Sequence, residues 1–70
     1  MKEIKATMAG NVWKVTVEKG DAIESGEEVV ILESMKMEIP IESEHSGTVK
    51  EINVTEGQFV NEGDTLVTLK

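Results

Sequence analysis

The residues of this chain best suited to chemistry lie close together. In Ser34-Met35-Lys36-Met37-Glu38-Ile39 a lysine stands between two methionines, with Glu33 just before the segment and Glu38 inside it. A methionine near a core is usually a gap filler. Two methionines flanking one lysine at a hairpin tip can be only partly buried, and they suit a flexible apolar contact surface for a partner. Glu33 and Glu38 fit recognition and plain solvation of a strand end equally well. Elsewhere the inventory is thin. The single histidine, His45, adjoins Ser46 and Gly47 in an expected turn, where a lone imidazole is ordinarily solvated. The absence of cysteine removes any disulfide framework or thiolate metal site. The acidic residues are scattered without metal-ligand spacing. An enzyme is the weakest reading of such a chain.

The elements that must position Lys36 come from an internal repeat. Sliding the sequence by 37 positions places Gly10, Val12, Val17, Gly20, Gly26, Val30 and Leu32 on Gly47, Val49, Val54, Gly57, Gly63, Val67 and Leu69. These are seven identities over the 24 ungapped pairs from Gly10/Gly47 to Glu33/Lys70, where ordinary residue frequencies give about one or two. Ile4 falls on Ile41. Residues 3–33 and 40–70 are therefore two copies of one unit, too few for a solenoid. They suggest a pseudo-twofold pair that shares one core.

Each copy has strand character. In Val12-Trp13-Lys14-Val15-Thr16-Val17 a strict two-residue alternation puts Trp13, Val15 and Val17 on one face. In the second copy Ile52 and Val54 do the same. Val29-Val30-Ile31-Leu32 and Leu66-Val67-Thr68-Leu69 are short runs that close each half. Glycine turns separate them, at Gly20, Gly26, Gly57 and Gly63. Pro40 cannot donate to a ladder and marks an edge or a strand start. Trp13 and Phe59, the only aromatics, are expected to pack. Short strands at this spacing predict an all-β sandwich or flattened barrel.

Residues 34–39 do not repeat. They join the copies, and under a twofold their counterpart is the pair of chain ends, so the two should lie at opposite ends of the domain. The junction reverses the chain with no Gly, Asn, Asp or Pro at its centre, although Met-Lys is a poor choice for a tight primed turn. Two readings follow. A broken local rule can mark a functional site, or the turn is wider and its side chains carry no role.

Seventy residues make one small domain, 1–70, in which a compact, regular fold is needed for stability. The formal charge of −7, from 14 acidic and 7 basic residues, repels phosphate backbones and anionic lipids. We expect no nucleic acid and no membrane as partner. No apolar stretch approaches spanning length, and the start of the chain does not resemble a signal peptide. The expectation is a cytoplasmic monomer. Met1 followed at once by the first strand suggests a free-standing protein, and an end at Lys70, just past the last strand, also fits an excised domain.

Glu33-Ser34-Met35-Lys36-Met37-Glu38 closely resembles the attachment motif of biotinyl carrier domains, where a lysine sits between two methionines. Met8-Ala9-Gly10, the Gly20-Asp21 and Gly57 turns, and Glu62-Gly63-Asp64-Thr65-Leu66 extend the resemblance over the chain. It departs from the family pattern at Ser34, where alanine is common, and it has no room for the protruding thumb of some bacterial carriers. It is most similar to the short biotin/lipoyl attachment proteins. The resemblance implies a flattened barrel of two four-stranded antiparallel sheets related by a pseudo-twofold axis. It implies covalent biotin on Lys36, attached by a biotin protein ligase that recognises Met35 and Met37. It further implies a biotin carboxylase that charges the biotin with a carboxyl group and a carboxyltransferase that passes it on. Amide formation on Lys36 would leave six basic residues against the 14 acidic ones, changing −7 to −8.

Two rivals share the fold. A lipoyl carrier, with lipoate on the same lysine, usually has Asp before it and Ala after it, so the paired methionines favour biotin; a dual acceptor of both groups is also compatible. An unmodified interaction module would have lost the lysine, which this chain keeps.

Overall fold

The computed structural model describes residues 2–70. Met1, at the start of the expected 1–70 domain, lies outside the described residues. Eight strands follow in order: β1 (Lys2–Lys5), β2 (Gly10–Val15), β3 (Ala22–Ile23), β4 (Glu28–Ser34), β5 (Met37–Glu42), β6 (Gly47–Ile52), β7 (Phe59–Val60) and β8 (Thr65–Leu69). They form two four-stranded antiparallel sheets, β1-β8-β6-β3 and β5-β4-β2-β7. This is the all-β architecture expected from the sequence.

The 37-residue offset maps one sheet onto the other, pair by pair. Leu32 pairs with Val12 and Ile39 in one sheet. Leu69, its mate, pairs with Val49 and Lys2 in the other. Even the irregularities repeat. Val29 in β4 and Leu66 in β8 are extra residues in their ladders. Such a bulge sets two residues against one, so Val29 and Val30 both turn inward, as do Leu66 and Val67, all four with no exposed surface.

A second mated pair of bulges corrects the expected face of β2. Val12 pairs with Leu32 and Lys14 with Ile31, leaving Trp13 as the extra residue; Lys50 is its mate in β6. Across the bulge Trp13 and Lys14 both point outward, and Val12 and Val17 enter the core, with Val15 packed against it. Trp13 does not share a face with Val15 and Val17. It is 41% exposed and Phe59 is 59% exposed, so neither aromatic packs inside as expected. Met8 does pack against the core. Pro40 lies within β5, the edge strand of its sheet, where its missing N–H can face outward.

Both inner faces meet in one core, whose fully buried side chains include Val12, Leu32, Val49, Val60, Leu66 and Leu69. The four glycine turns share one device, in which the side chain three residues on accepts from the first residue's N–H. Asp21 takes Glu18 N–H, Glu27 takes Glu24 N–H, Gln58 takes Thr55 N–H and Asp64 takes Asn61 N–H. The last two are the mates of the first two.

Gly10 lies where β2 passes closest to the end of β4. A Cβ built there would stand 2.9 Å from the Glu33 carbonyl oxygen, a backbone atom that cannot swing away. Gly10→Ala should therefore destabilise the domain by about 1–3 kcal/mol, read as a lower midpoint in urea denaturation. An unchanged midpoint would mean that β2 and β4 separate freely at this end.

Candidate functional site

β4 and β5 form a hairpin paired from Glu28–Glu42 at its base to Ser34–Met37 at its tip. Only Met35 and Lys36 remain for the turn. Their φ angles are +52° and +65°, both in the left-handed region that a two-residue type I′ turn requires. The wider, looser turn considered above is therefore not what forms. Each left-handed non-glycine residue carries a penalty of roughly 1–2 kcal/mol. The turn is held by what lies behind it. Six residue pairs tie β4 to β5, and β2 clamps the other edge of β4. A strained turn survives only when its surroundings over-determine it.

The strain predicts an inverse relation between stability and function. Asn tolerates the left-handed region and favours the first position of this turn. Met35→Asn should raise stability by about 1 kcal/mol, which in a domain of this size is a rise of about 4–8 °C in Tm. With Lys36 as the attachment point that the resemblance implies, it should also lower the rate of labelling there, because it removes an apolar side chain that is 91% exposed. Calorimetry and a labelling time course read the two effects. A labelling rate equal to that of the unsubstituted chain would remove Met35 from the recognition surface.

Of the residues singled out in the sequence, the fold brings Glu33, Met35, Lys36, Met37 and Glu38 to one tip. Met35, Lys36, Met37 and both glutamates are exposed, and Ser34 is half-buried. Glu33 and Glu38 face each other across the ladder. His45 is not part of this site. It lies beyond the hairpin base, where its backbone N–H donates to the Ser43 hydroxyl, which donates in turn to the His45 carbonyl.

The tip and the chain ends lie at opposite ends of the domain. Lys2 pairs with Leu69, and Lys2 Nζ donates to the Ser46 carbonyl. The Ser46 hydroxyl accepts from Ser25 N–H, and Gly26 N–H donates to the Ser43 carbonyl, next to the Glu28–Glu42 base. From that base, six strand residues at about 3.3 Å each lead to the tip. The molecule is 32 Å long and under 20 Å across, so the hairpin runs over much of its length.

A surface depression of about 390 Å³ lies near the base, lined by residues including Glu3, Thr7, Glu42, Glu44 and Glu62. At Lys36 there is instead a protruding amine with apolar neighbours. Such a geometry can present a lysine to a second protein. A group carried here would be held by a covalent bond to Nζ rather than by a pocket, and the exposed Lys36 on its two-residue turn fits that form of attachment.

Comparisons with known proteins give the family and the fold. Residues 2–69 match the family model described as "Biotin-requiring enzyme". The chain is 62% identical over 66 residues to the biotin/lipoyl attachment protein of Bacillus subtilis (strain 168), covering 94% of this chain and 90% of that protein. It is 45% identical over 64 residues to the biotin carboxyl carrier protein of Streptococcus mutans, covering 91% of this chain but only 49% of the relative. Among solved structures, the urea carboxylase of Kluyveromyces lactis superposes with a TM-score of 0.91 at 30% identity, over 99% of this chain and 6% of that one.

Proposed function

The chain belongs to the biotin-requiring family, and from that premise we propose that Lys36 is its point of biotin attachment. The domain is a non-catalytic biotin carrier of carboxylase systems. The observation that carries the assignment to Lys36 is its place in an exposed two-residue turn, between two exposed methionines, at the tip of the β4–β5 hairpin.

In this reading a biotin protein ligase is the first partner. Lysine amines are protonated at neutral pH, so the ligase takes a proton from Nζ, which attacks the acyl carbon of biotinyl-adenylate. The amide bond forms, the bond to the adenylate breaks and AMP leaves. This chain contributes placement. The strained turn limits where Lys36 can point, the six-pair ladder fixes the tip against the sandwich, and Met35 and Met37 supply apolar contact for the ligase. Glu33 and Glu38 flank that contact. Bound biotin supplies a ring able to accept and release a carboxyl group. A biotin carboxylase and a carboxyltransferase are the partners that load and unload the carrier. Tethering raises the effective concentration of the group at both. The domain works as a monomer, its charge of −7 opposing self-association, and it works in the cytoplasm. The biotin/lipoyl name of the 62%-identical relative supports lipoate as a second acceptable group on Lys36.

The test is the intact mass after incubation with ATP, the biotin or lipoate ligase, and the matching acid, followed by fragmentation around Lys36. One biotinyl group on Lys36 is the expected product. A lipoyl group alone would transfer the protein to acyl transfer, and no product with either ligase would leave it an unmodified interaction module.

A further inference from the structure

The two sheets are related residue by residue, so each is a control for the other. Their outer faces differ. On β5-β4-β2-β7, Pro40, Ile31 and the Lys14–Trp13 bulge lie in one line across three strands. Phe59 pairs with Asn11, two residues from Trp13 along β2. Trp13, Phe59 and Pro40 are exposed and Ile31 is half-exposed. The mates on the other sheet are Glu3, Thr68, Lys50 and Ala22. The fold thus accepts polar or small residues at all four places, and packing does not require the apolar set.

The charges are as uneven as the apolar residues. Glu33 faces Glu38 on the tip side of the apolar line, and Glu28 faces Glu42 on the base side. Like charges directly opposite in a ladder are destabilising. At the base the mates are Thr65 and Lys5, so the repeat does not impose the clash there. One sheet therefore bears an apolar strip with a carboxylate pair on each side, and the pair nearer the tip adjoins the lysine turn. Lys14 rests over the Trp13 ring, its Nζ 5.3 Å from the ring centre.

We propose that the outer face of β5-β4-β2-β7 docks the biotin carboxylase subunit, through an apolar centre on Trp13, Ile31, Pro40 and Phe59 and a basic rim on the partner that neutralises Glu28, Glu33, Glu38 and Glu42. This inference rests on the carrier reading and adds the surface that the tip lysine alone does not supply. Docking on the face that bears the hairpin holds the domain while Lys36 reaches the partner's active site. Burying an apolar centre inside a charged rim is the usual anatomy of a protein interface, and the rim carboxylates steer encounter with a basic patch.

The experiment exchanges three of the four apolar residues for their twofold mates. Trp13→Lys, Ile31→Thr and Phe59→Ala are made singly and together, biotinylated beforehand, and offered as substrates to the biotin carboxylase subunit of the chain's own organism with ATP and bicarbonate. The expected result is a KM at least tenfold higher at unchanged kcat for the triple variant, with turnover of free biotin and the rate of ligase labelling unaltered. For the unsubstituted carrier, KM should rise as added salt shortens the screening length from about 10 Å at 0.1 M to about 3 Å at 1 M. An unchanged KM overturns the proposal, and so does a KM rise seen with the ligase instead of the carboxylase. If the triple variant fails to fold, Trp13→Lys and Phe59→Ala alone decide by the same readout. Failure of the unsubstituted chain to accept biotin on Lys36 is a separate outcome, and it removes the carrier reading itself.

Discussion

Lys36→Arg should abolish biotin labelling outright while leaving the fold unchanged. Arginine keeps the positive charge but its delocalised guanidinium is a far poorer acyl acceptor. The side chain at 36 is exposed, and both residues meet the same left-handed backbone, so surface substitution should move stability by no more than about 0.5 kcal/mol. Intact mass after ligase treatment reads the first effect, and thermal denaturation reads the second. Persistent labelling of the arginine variant would place the acceptor on another of the seven basic residues. Loss of labelling together with loss of structure would mean that the tip contributes to folding. The six-pair ladder behind it argues against that.

Leu32→Ala carries the largest expected effect on stability. Leu32 lies in β4, fully buried, paired with Val12 on one side and Ile39 on the other. Truncating a buried leucine typically removes about 2–5 kcal/mol through lost transfer energy and the cavity left behind. A core in a chain of this size rarely supplies more than about 3–5 kcal/mol. The variant should therefore be largely unfolded at 37 °C, as circular dichroism would show. Leu69→Ala is the informative companion, because Leu69 is the twofold mate and is equally buried. Similar losses at both sites would show that the two halves carry the core evenly. A much smaller loss at Leu69 would show that the half bearing the hairpin carries most of the stability.

Each of these effects was legible in the chain to a different degree. The 37-residue repeat, the glycine turns and the β-branched runs announced a two-sheet sandwich. Their information is local or repeated, and identical segments fold alike. The Met-Lys-Met junction was legible for a related reason: it is the stretch that the repeat does not predict, and it breaks the residue preferences of a tight turn. Leu32 and Leu69 could be placed inside because each sits in an apolar run that its mate confirms.

The direction of Trp13 was not legible. Alternation along β2 made it a companion of Val15 and Val17, and the bulge at Trp13 reverses that assignment. A signal was available in its mate, since Lys50 at the equivalent position is a poor candidate for a core. Phe59, mated with Ala22, carried a similar hint. The cross-strand pairing of Glu28 with Glu42 was also out of reach, because it depends on Val29 being the extra residue in the ladder.

By itself the sequence determined the repeat, the strand character of both halves and the chemical identity of the tip. Short-range periodicity and residue chemistry suffice for those. The tertiary structure decided which side of each bulge faces water, and that Met35 and Lys36 turn left-handed. A strand cannot choose its own register: the choice is made by neighbours such as β2, β4 and β5, which shut the junction into a two-residue turn once their ladders are complete.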